Sequence, residues 1–133
     1  MTLSSQKVLI VDDSPGMRKV LSIICRSAGI TQITEAEDSQ QAWKYFADDG
    51  VIASFDFIIS DYTMPGMSGL DFLKRIRGSS RYKDMPFFMV TAESQIHILD
   101  EIRNGGATAI LKKPFTSSDL LDVLRRDFLA KAG

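Results

Sequence analysis

The stretch Phe55-Asp56-Phe57-Ile58-Ile59-Ser60-Asp61 decides the fold. A strand with one wet face alternates apolar and polar side chains. Phe57, Ile58 and Ile59 are instead apolar on both parities, as expected for a strand covered by helices on both faces of a parallel sheet. The apolar run ends at Asp61. After a loop from Tyr62 to Met67, a helix is expected from Ser68 through Leu70, Leu73 and Ile76 to Gly78.

The same order recurs on either side. Val8-Leu9-Ile10-Val11 is a short apolar run, followed by a stretch in which Met17, Val20, Leu21, Ile24 and Ala28 keep helical spacing. Ser14 suits the cap of that helix, Pro15 its first position and Gly29 its end. Thr31 to Ala36 then reads as a strand, and Asp38 or Ser39 can cap a helix that carries Ala42, Trp43 and Phe46 as far as Gly50. Downstream, Pro86 to Val90 reads as a strand ending at Thr91, followed by a helix through Ile98, Leu99 and Ile102 that stops at Gly105-Gly106. Ala107 to Leu111 is the last strand, and a Thr116 or Ser117 cap opens a helix through Leu120, Leu121, Leu124 and Phe128.

Five strands alternating with five helices define an α/β chain. Right-handed crossovers make it an open doubly wound sheet with two helices on one face and three on the other. At 133 residues, with 44% hydrophobic and 25% charged residues, one domain over residues 1–133 is expected. Sixteen basic against seventeen acidic residues leave a formal charge of -1, which offers no field for nucleic acid or anionic lipid. The lone Cys25 cannot form an internal disulfide, and neither a signal peptide nor a membrane-length apolar run is visible, so a cytoplasmic location is expected.

In open parallel sheets, ligands bind beyond the carboxyl ends of the strands. There the first strand presents Asp12-Asp13, the third Asp61, the fourth Thr91 and the fifth Lys113. Each has a plain structural explanation when taken alone. An acidic pair favours a helix N-terminus, an Asp after a strand is ordinary turn chemistry, Thr91 can cap a helix, and Lys113 can be solvated beside Lys112. Together they are more specific. Three carboxylates at close quarters repel one another unless a cation sits among them, and an all-oxygen donor set suits Mg2+. Lys113 and Thr91 add donors for the oxygens of a phosphoryl group, and an Asp carboxylate can form an acyl phosphate, with Asp61 the best placed. No His or Cys cluster suggests zinc, and His97 reads as a surface residue. The Lys113-Pro114 bond can be cis, which would help to point the lysine inward.

The stretches VLIVDDS (Val8 to Ser14), FDFIISDYTMPGMSG (Phe55 to Gly69), MVTAE (Met89 to Glu93) and LKKPFT (Leu111 to Thr116) resemble the receiver domain of two-component response regulators, especially the single-domain chemotaxis (CheY-like) type. They span nearly the whole chain. The resemblance implies a flavodoxin-like (βα)5 fold with strand order 2-1-3-4-5. It implies that Asp61 accepts a phosphoryl group from a histidine kinase and that Mg2+ is held by Asp12, Asp13, Asp61 and the backbone carbonyl of Thr63. Lys113 would contact a phosphoryl oxygen, and Thr91 would move toward the phosphate, carrying its loop with it. Met64, Pro65 and Gly69 match the loop that floors the site.

The implied protein is a phosphoacceptor signalling protein, expected as a monomer, with magnesium-dependent self-phosphotransfer and slow autodephosphorylation. Its effector, a flagellar motor switch or another protein, would bind the face made by the fourth helix, fifth strand and fifth helix, where Ile96 and Ile110 lie. Two positions depart from the pattern: Ile110 stands where an aromatic residue is common, and Thr63 where the chemotaxis proteins have an amide. Glu93 keeps the second position beside the hydrolytic water. The alternatives are a phosphorylation-independent scaffold or a phosphorelay intermediate. A phosphatase of the haloacid dehalogenase type would need a second Asp two residues after its nucleophile on the first strand, where the chain has Asp12-Asp13-Ser14.

Overall fold

The computed structural model describes residues 5–47 and 55–126. In chain order the elements are β1 (Lys7–Val11), α1 (Pro15–Ser27), β2 (Gln32–Ala36), α2 (Ser39–Ala47), β3 (Phe57–Asp61), α3 (Gly69–Gly78), β4 (Phe87–Thr91), α4 (Ile96–Asn104), β5 (Ala109–Lys112) and α5 (Ser117–Leu124). All strand pairs are parallel, in the order β2-β1-β3-β4-β5. This is the expected flavodoxin-like α/β topology. The extension of α2 to Gly50 and the placement of Phe128 in the last helix lie outside the described residues.

The three apolar runs form the centre of the sheet. Every residue of β3 and β4, and all of β1 after Lys7, is buried. Successive side chains point to opposite faces of a strand. Val8, Ile10, Phe57, Ile59, Phe88 and Val90 therefore pack with Leu21, Ile24 and Cys25 of α1 and Leu120 and Leu124 of α5. Leu9, Val11, Ile58, Phe87 and Met89 pack on the other face with Ala42 and Phe46 of α2, Leu70, Phe72, Leu73 and Ile76 of α3 and Ile102 of α4. The division into two helices and three is the one anticipated.

Local chemistry fixes the element ends. Ser14 Oγ accepts the Met17 N–H, Ser68 Oγ the Asp71 N–H, and Thr116 forms a reciprocal capping box with Asp119. Asp38 Oδ1 accepts the Gln41 N–H at 2.7 Å, which makes Asp38 the capping side chain of α2. Two expected strand starts shift by two residues, and those of β2 and β4 by one. Phe55 and Asp56 precede β3, because the Asp56 carboxylate accepts the Lys7 N–H at 2.8 Å in place of a ladder carbonyl. Ala107 belongs to the turn that closes α4, since its N–H donates to the Ile102 carbonyl at 3.3 Å, and β5 begins two residues later. No helix of the described residues is long and apolar enough to cross a membrane.

Cys25 lies in the α1–α5 layer with no exposed surface, and burial pushes its thiol up to about 12. A thiol reagent at pH 8 should therefore label the native protein only as fast as the chain opens, and denaturant should speed labelling by orders of magnitude. Native labelling as fast as that of a free-cysteine peptide would contradict this packing.

Candidate functional site

The central strands carry their polar residues at their carboxyl ends. In the sheet register Val11 lies beside Ser60, Asp61 beside Val90, and Thr91 beside Lys112. The residues that follow or end these strands, Asp12, Asp61, Thr91 and Lys113, therefore meet along one edge. Asp12, Asp13 and Asp61 each offer an oxygen within 4.8 Å of the others. Lys113 Nζ stands 3.3 Å from Asp61 Oδ1 and 4.0 Å from Asp12 Oδ2. The Lys113-Pro114 bond is cis, and the Lys113 N–H donates to the Thr91 carbonyl at 2.8 Å.

Asp61 and Asp12 are buried, at 6% and 1% exposure, while Asp13 is exposed. Asp61 Oδ1 accepts the Tyr62 N–H at 2.9 Å, and Asp12 Oδ1 accepts the Ser14 N–H at 2.8 Å. Asp12 Oδ2 is buried without a hydrogen-bond partner. Burial raises the Asp12 carboxyl above the ordinary range. The charges of Asp61 and Asp13 push the same way, against the Ser14 N–H and Lys113. Asp61 is raised chiefly by burial and further by Asp13, against Lys113 and the Tyr62 N–H. Lys113 thus only partly offsets the crowding. A buried carboxylate oxygen without a hydrogen bond, within a three-carboxylate cluster, is what a hard divalent cation fits, and Mg2+ matches this oxygen donor set.

Thr91 is buried at the end of β4, where its Oγ1 accepts the Glu93 N–H at 2.9 Å. Its hydroxyl proton remains available for donation. Glu93 Oε1 accepts the Ser94 and Gln95 N–H groups at 3.1 and 2.9 Å, so this carboxylate is engaged with the backbone leading into α4. Gln95, the residue before that helix, provides no side-chain cap. Thr63 is exposed in the loop after β3, while Met64 is buried and its sulfur accepts from Ser39 Oγ at 3.8 Å.

Ile96 is 73% exposed at the start of α4, and the neighbouring His97 is exposed as well. Ile110 of β5 is half-buried against the α2–α3–α4 core. Neither Ile96 nor Ile110 is among the side chains of the carboxylate cluster or its lysine. Sequence patterning did not single out Arg18, whose guanidinium donates to the Asp12 carbonyl oxygen. Its place on α1 marks it only as a polar position beside an apolar stripe.

A doubly wound sheet with three carboxylates, a hydroxyl and a lysine at one edge defines a class of phosphoryl-handling signalling domains. Residues 8–125 match the response regulator receiver domain, and the chain belongs to that family. It is 35% identical to the chemotaxis protein CheY of Pseudomonas aeruginosa over 122 residues, which cover 92% of this chain and 95% of that protein. Identity to CheY-3 of Vibrio cholerae is also 35%, over 124 residues, covering 93% of this chain and 92% of that protein. The structure of CheY4 of Vibrio cholerae superimposes with a TM-score of 0.80 at 38% identity, covering 92% of this chain and 98% of that one. The receiver domain of a Pseudomonas aeruginosa sensor histidine kinase, described with a magnesium ion coordinated in its active site cleft, gives a TM-score of 0.78 at 25% identity, covering 92% of this chain and 96% of that one. The protein is thus a receiver domain of the two-component response regulators with chemotaxis relatives, and phosphorylation on an aspartate is the general property of that family.

Two substitutions probe this geometry. A Cβ on Gly69 would collide with the Asp61 carbonyl oxygen and stand 2.9 Å from both Tyr62 Cα and Met89 Sδ. Gly69→Ala should therefore cost about 3 kcal/mol in denaturant unfolding, and a neutral result would refute the close approach. Asp12→Asn keeps an acceptor for the Ser14 N–H but removes a crowded charge. A native carboxyl raised above its unfolded value binds more protons folded than unfolded, so its contribution to stability falls as pH rises through that window. In EDTA the variant should match wild type at a pH below the ordinary aspartate value, about 3.9. It should melt several degrees higher at pH 7, and a lower melting temperature there would contradict the repulsive cluster.

Proposed function

We propose that Asp61 is the phosphoacceptor, taking the phosphoryl group from a phosphohistidine of a histidine kinase, and that Asp12, Asp13, Asp61 and the Thr63 backbone carbonyl hold Mg2+. The observation that carries this reading is the 3.3 Å approach of Lys113 Nζ to Asp61 Oδ1 inside a cluster whose buried Asp12 Oδ2 accepts no hydrogen bond. In the transfer, an Asp61 carboxylate oxygen forms a bond to phosphorus as the bond from phosphorus to the donor imidazole nitrogen breaks. The imidazole keeps that electron pair and takes up a proton. Magnesium, when bound, supplies positive charge that offsets the crowded carboxylates and the developing charge on the phosphoryl oxygens.

Lys113 then has an acceptor in a phosphoryl oxygen, and the Thr91 hydroxyl can donate to a second while its oxygen keeps the Glu93 N–H. The same reading makes the domain a chemotaxis-type switch acting in the cytoplasm. A partner such as a flagellar motor switch protein would bind the α4–β5–α5 face, with exposed Ile96 as a contact. Slow self-catalysed loss of the phosphoryl group goes with it, because a water with access to Asp61 is the only further reactant needed. Monomeric behaviour is expected throughout.

Incubation with acetyl phosphate and Mg2+ should give a hydroxylamine-sensitive phosphoprotein in wild type and none in Asp61→Asn or with EDTA. Lys113→Ala should slow incorporation about a hundredfold. Phosphorylation of Asp61→Asn at the wild-type rate would move the acceptor elsewhere. Equal partner binding by wild type and Asp61→Asn, with and without phosphodonor, would favour a phosphorylation-independent scaffold.

A further inference from the structure

Asp12 is held by its main chain on both sides. Its N–H donates to the Ala36 carbonyl of β2 at 3.1 Å, and its carbonyl oxygen accepts from Arg18 Nη1 at 2.7 Å. Arg18 Nε also donates to Glu35 Oε1 of β2 at 3.2 Å, and the other Glu35 oxygen lies 3.5 Å from Ser22 Oγ. One peptide group of Asp12 is thus tied to β2 directly and the other through Arg18. With both peptide planes fixed, the Cα–Cβ direction is fixed too. The bond from the Ser14 N–H to Oδ1 then leaves Oδ2 as the oxygen facing Lys113 and Asp61.

An arginine on the first turns of a surface helix ordinarily extends into water, yet the Arg18 side chain is only 17% exposed. Its planar fork meets a carbonyl and a carboxylate through two separate nitrogens held in fixed geometry, which the single nitrogen of a lysine cannot reproduce. The contact opposes a specific force. Asp12, Asp13 and Asp61 repel one another before any cation arrives, so an unpinned β1–α1 turn would relax outward, and a cation would have to draw it back.

We propose that Arg18, itself held by Glu35, is a positioning residue that keeps Asp12 in the geometry for binding the divalent cation. The inference rests on the magnesium site of the proposed function. It makes a prediction of sign. If Arg18 acted only through its charge, removing a nearby cation would tighten Mg2+ binding, whereas loss of positioning weakens it.

The test is calorimetric titration of Mg2+ at low ionic strength into the metal-free full chain, well below the melting temperature. Wild type, Arg18→Gln, Arg18→Lys and the charge control Lys19→Gln are compared, with a melt to confirm that each is folded. Arg18→Gln should bind Mg2+ about tenfold more weakly, Arg18→Lys should fall between it and wild type, and Lys19→Gln should be unchanged or slightly tighter. Unchanged or tighter binding by Arg18→Gln, with or without a lower melting temperature, would reduce Arg18 to a structural tie and overturn the inference alone. Absence of Mg2+ binding by wild type would instead remove the magnesium reading, and this inference with it.

Discussion

A parallel strand covered on both faces has no tolerable place for a polar side chain except at its ends. β1, β3 and β4 follow this constraint, with Val8–Val11, Phe57–Ser60 and Phe87–Val90 buried throughout; the polar exception, Ser60, satisfies its hydroxyl by donating to the Asp61 carbonyl at 3.0 Å. Because the strands are parallel and in near register, their carboxyl ends lie on one edge, and the first polar residues there must face one another. Asp12, Asp61 and Thr91 are brought together by the burial that stabilises the sheet. The site is thus a consequence of the core, and a one-residue slip of any central strand would send its charge into one of the two apolar layers.

That arrangement opposes the stability of the fold in which it sits. Burial and mutual repulsion raise both Asp12 and Asp61, and Lys113 offsets only part of the cost. The surrounding frame is closely tied, with a β3 carboxylate beside a glycine whose Cβ would strike its backbone and a β1–α1 turn bonded to β2. A positive charge or hydrogen-bond donor entering the cluster would relieve part of that repulsion.

How much of this was legible in the chain follows from the range of each interaction. The central strands and their terminal carboxylates are local facts, readable from Val8–Asp13 and Phe57–Asp61, and the parallel alternation then forces them to one edge. Caps at Ser14, Ser68 and Thr116 are equally local. Boundaries failed where a side chain replaced a ladder bond, as Asp56 does for Lys7, or where a helix end claimed the residue, as at Ala107. The Arg18–Glu35 pair was invisible because its members sit on different elements, 17 residues apart. Ile110 was ambiguous because β5 is an edge strand, half wet, where an apolar residue can face either the core or solvent.

The same difference in anchoring bears on which part of the molecule can respond to a change at Asp61. α3 buries Leu70, Phe72, Leu73 and Ile76, and its Arg77 donates to the carbonyls of Gly106 and Met85. α4 buries Ile102 alone, begins with exposed Ile96 and lacks a side-chain cap at Gln95. Its entry is held instead by Glu93, whose own N–H rests on the Thr91 hydroxyl. A shift of Thr91 toward a new acceptor beside Asp61 would carry the Glu93 N–H with it and pull on the entry to α4, a helix that buries Ile102 alone. Segments of low local stability are where small free-energy changes become conformational ones. In the proposed switch the signal therefore has a path through backbone hydrogen bonds, from Thr91 to Glu93 to α4, that does not need an aromatic side chain at position 110.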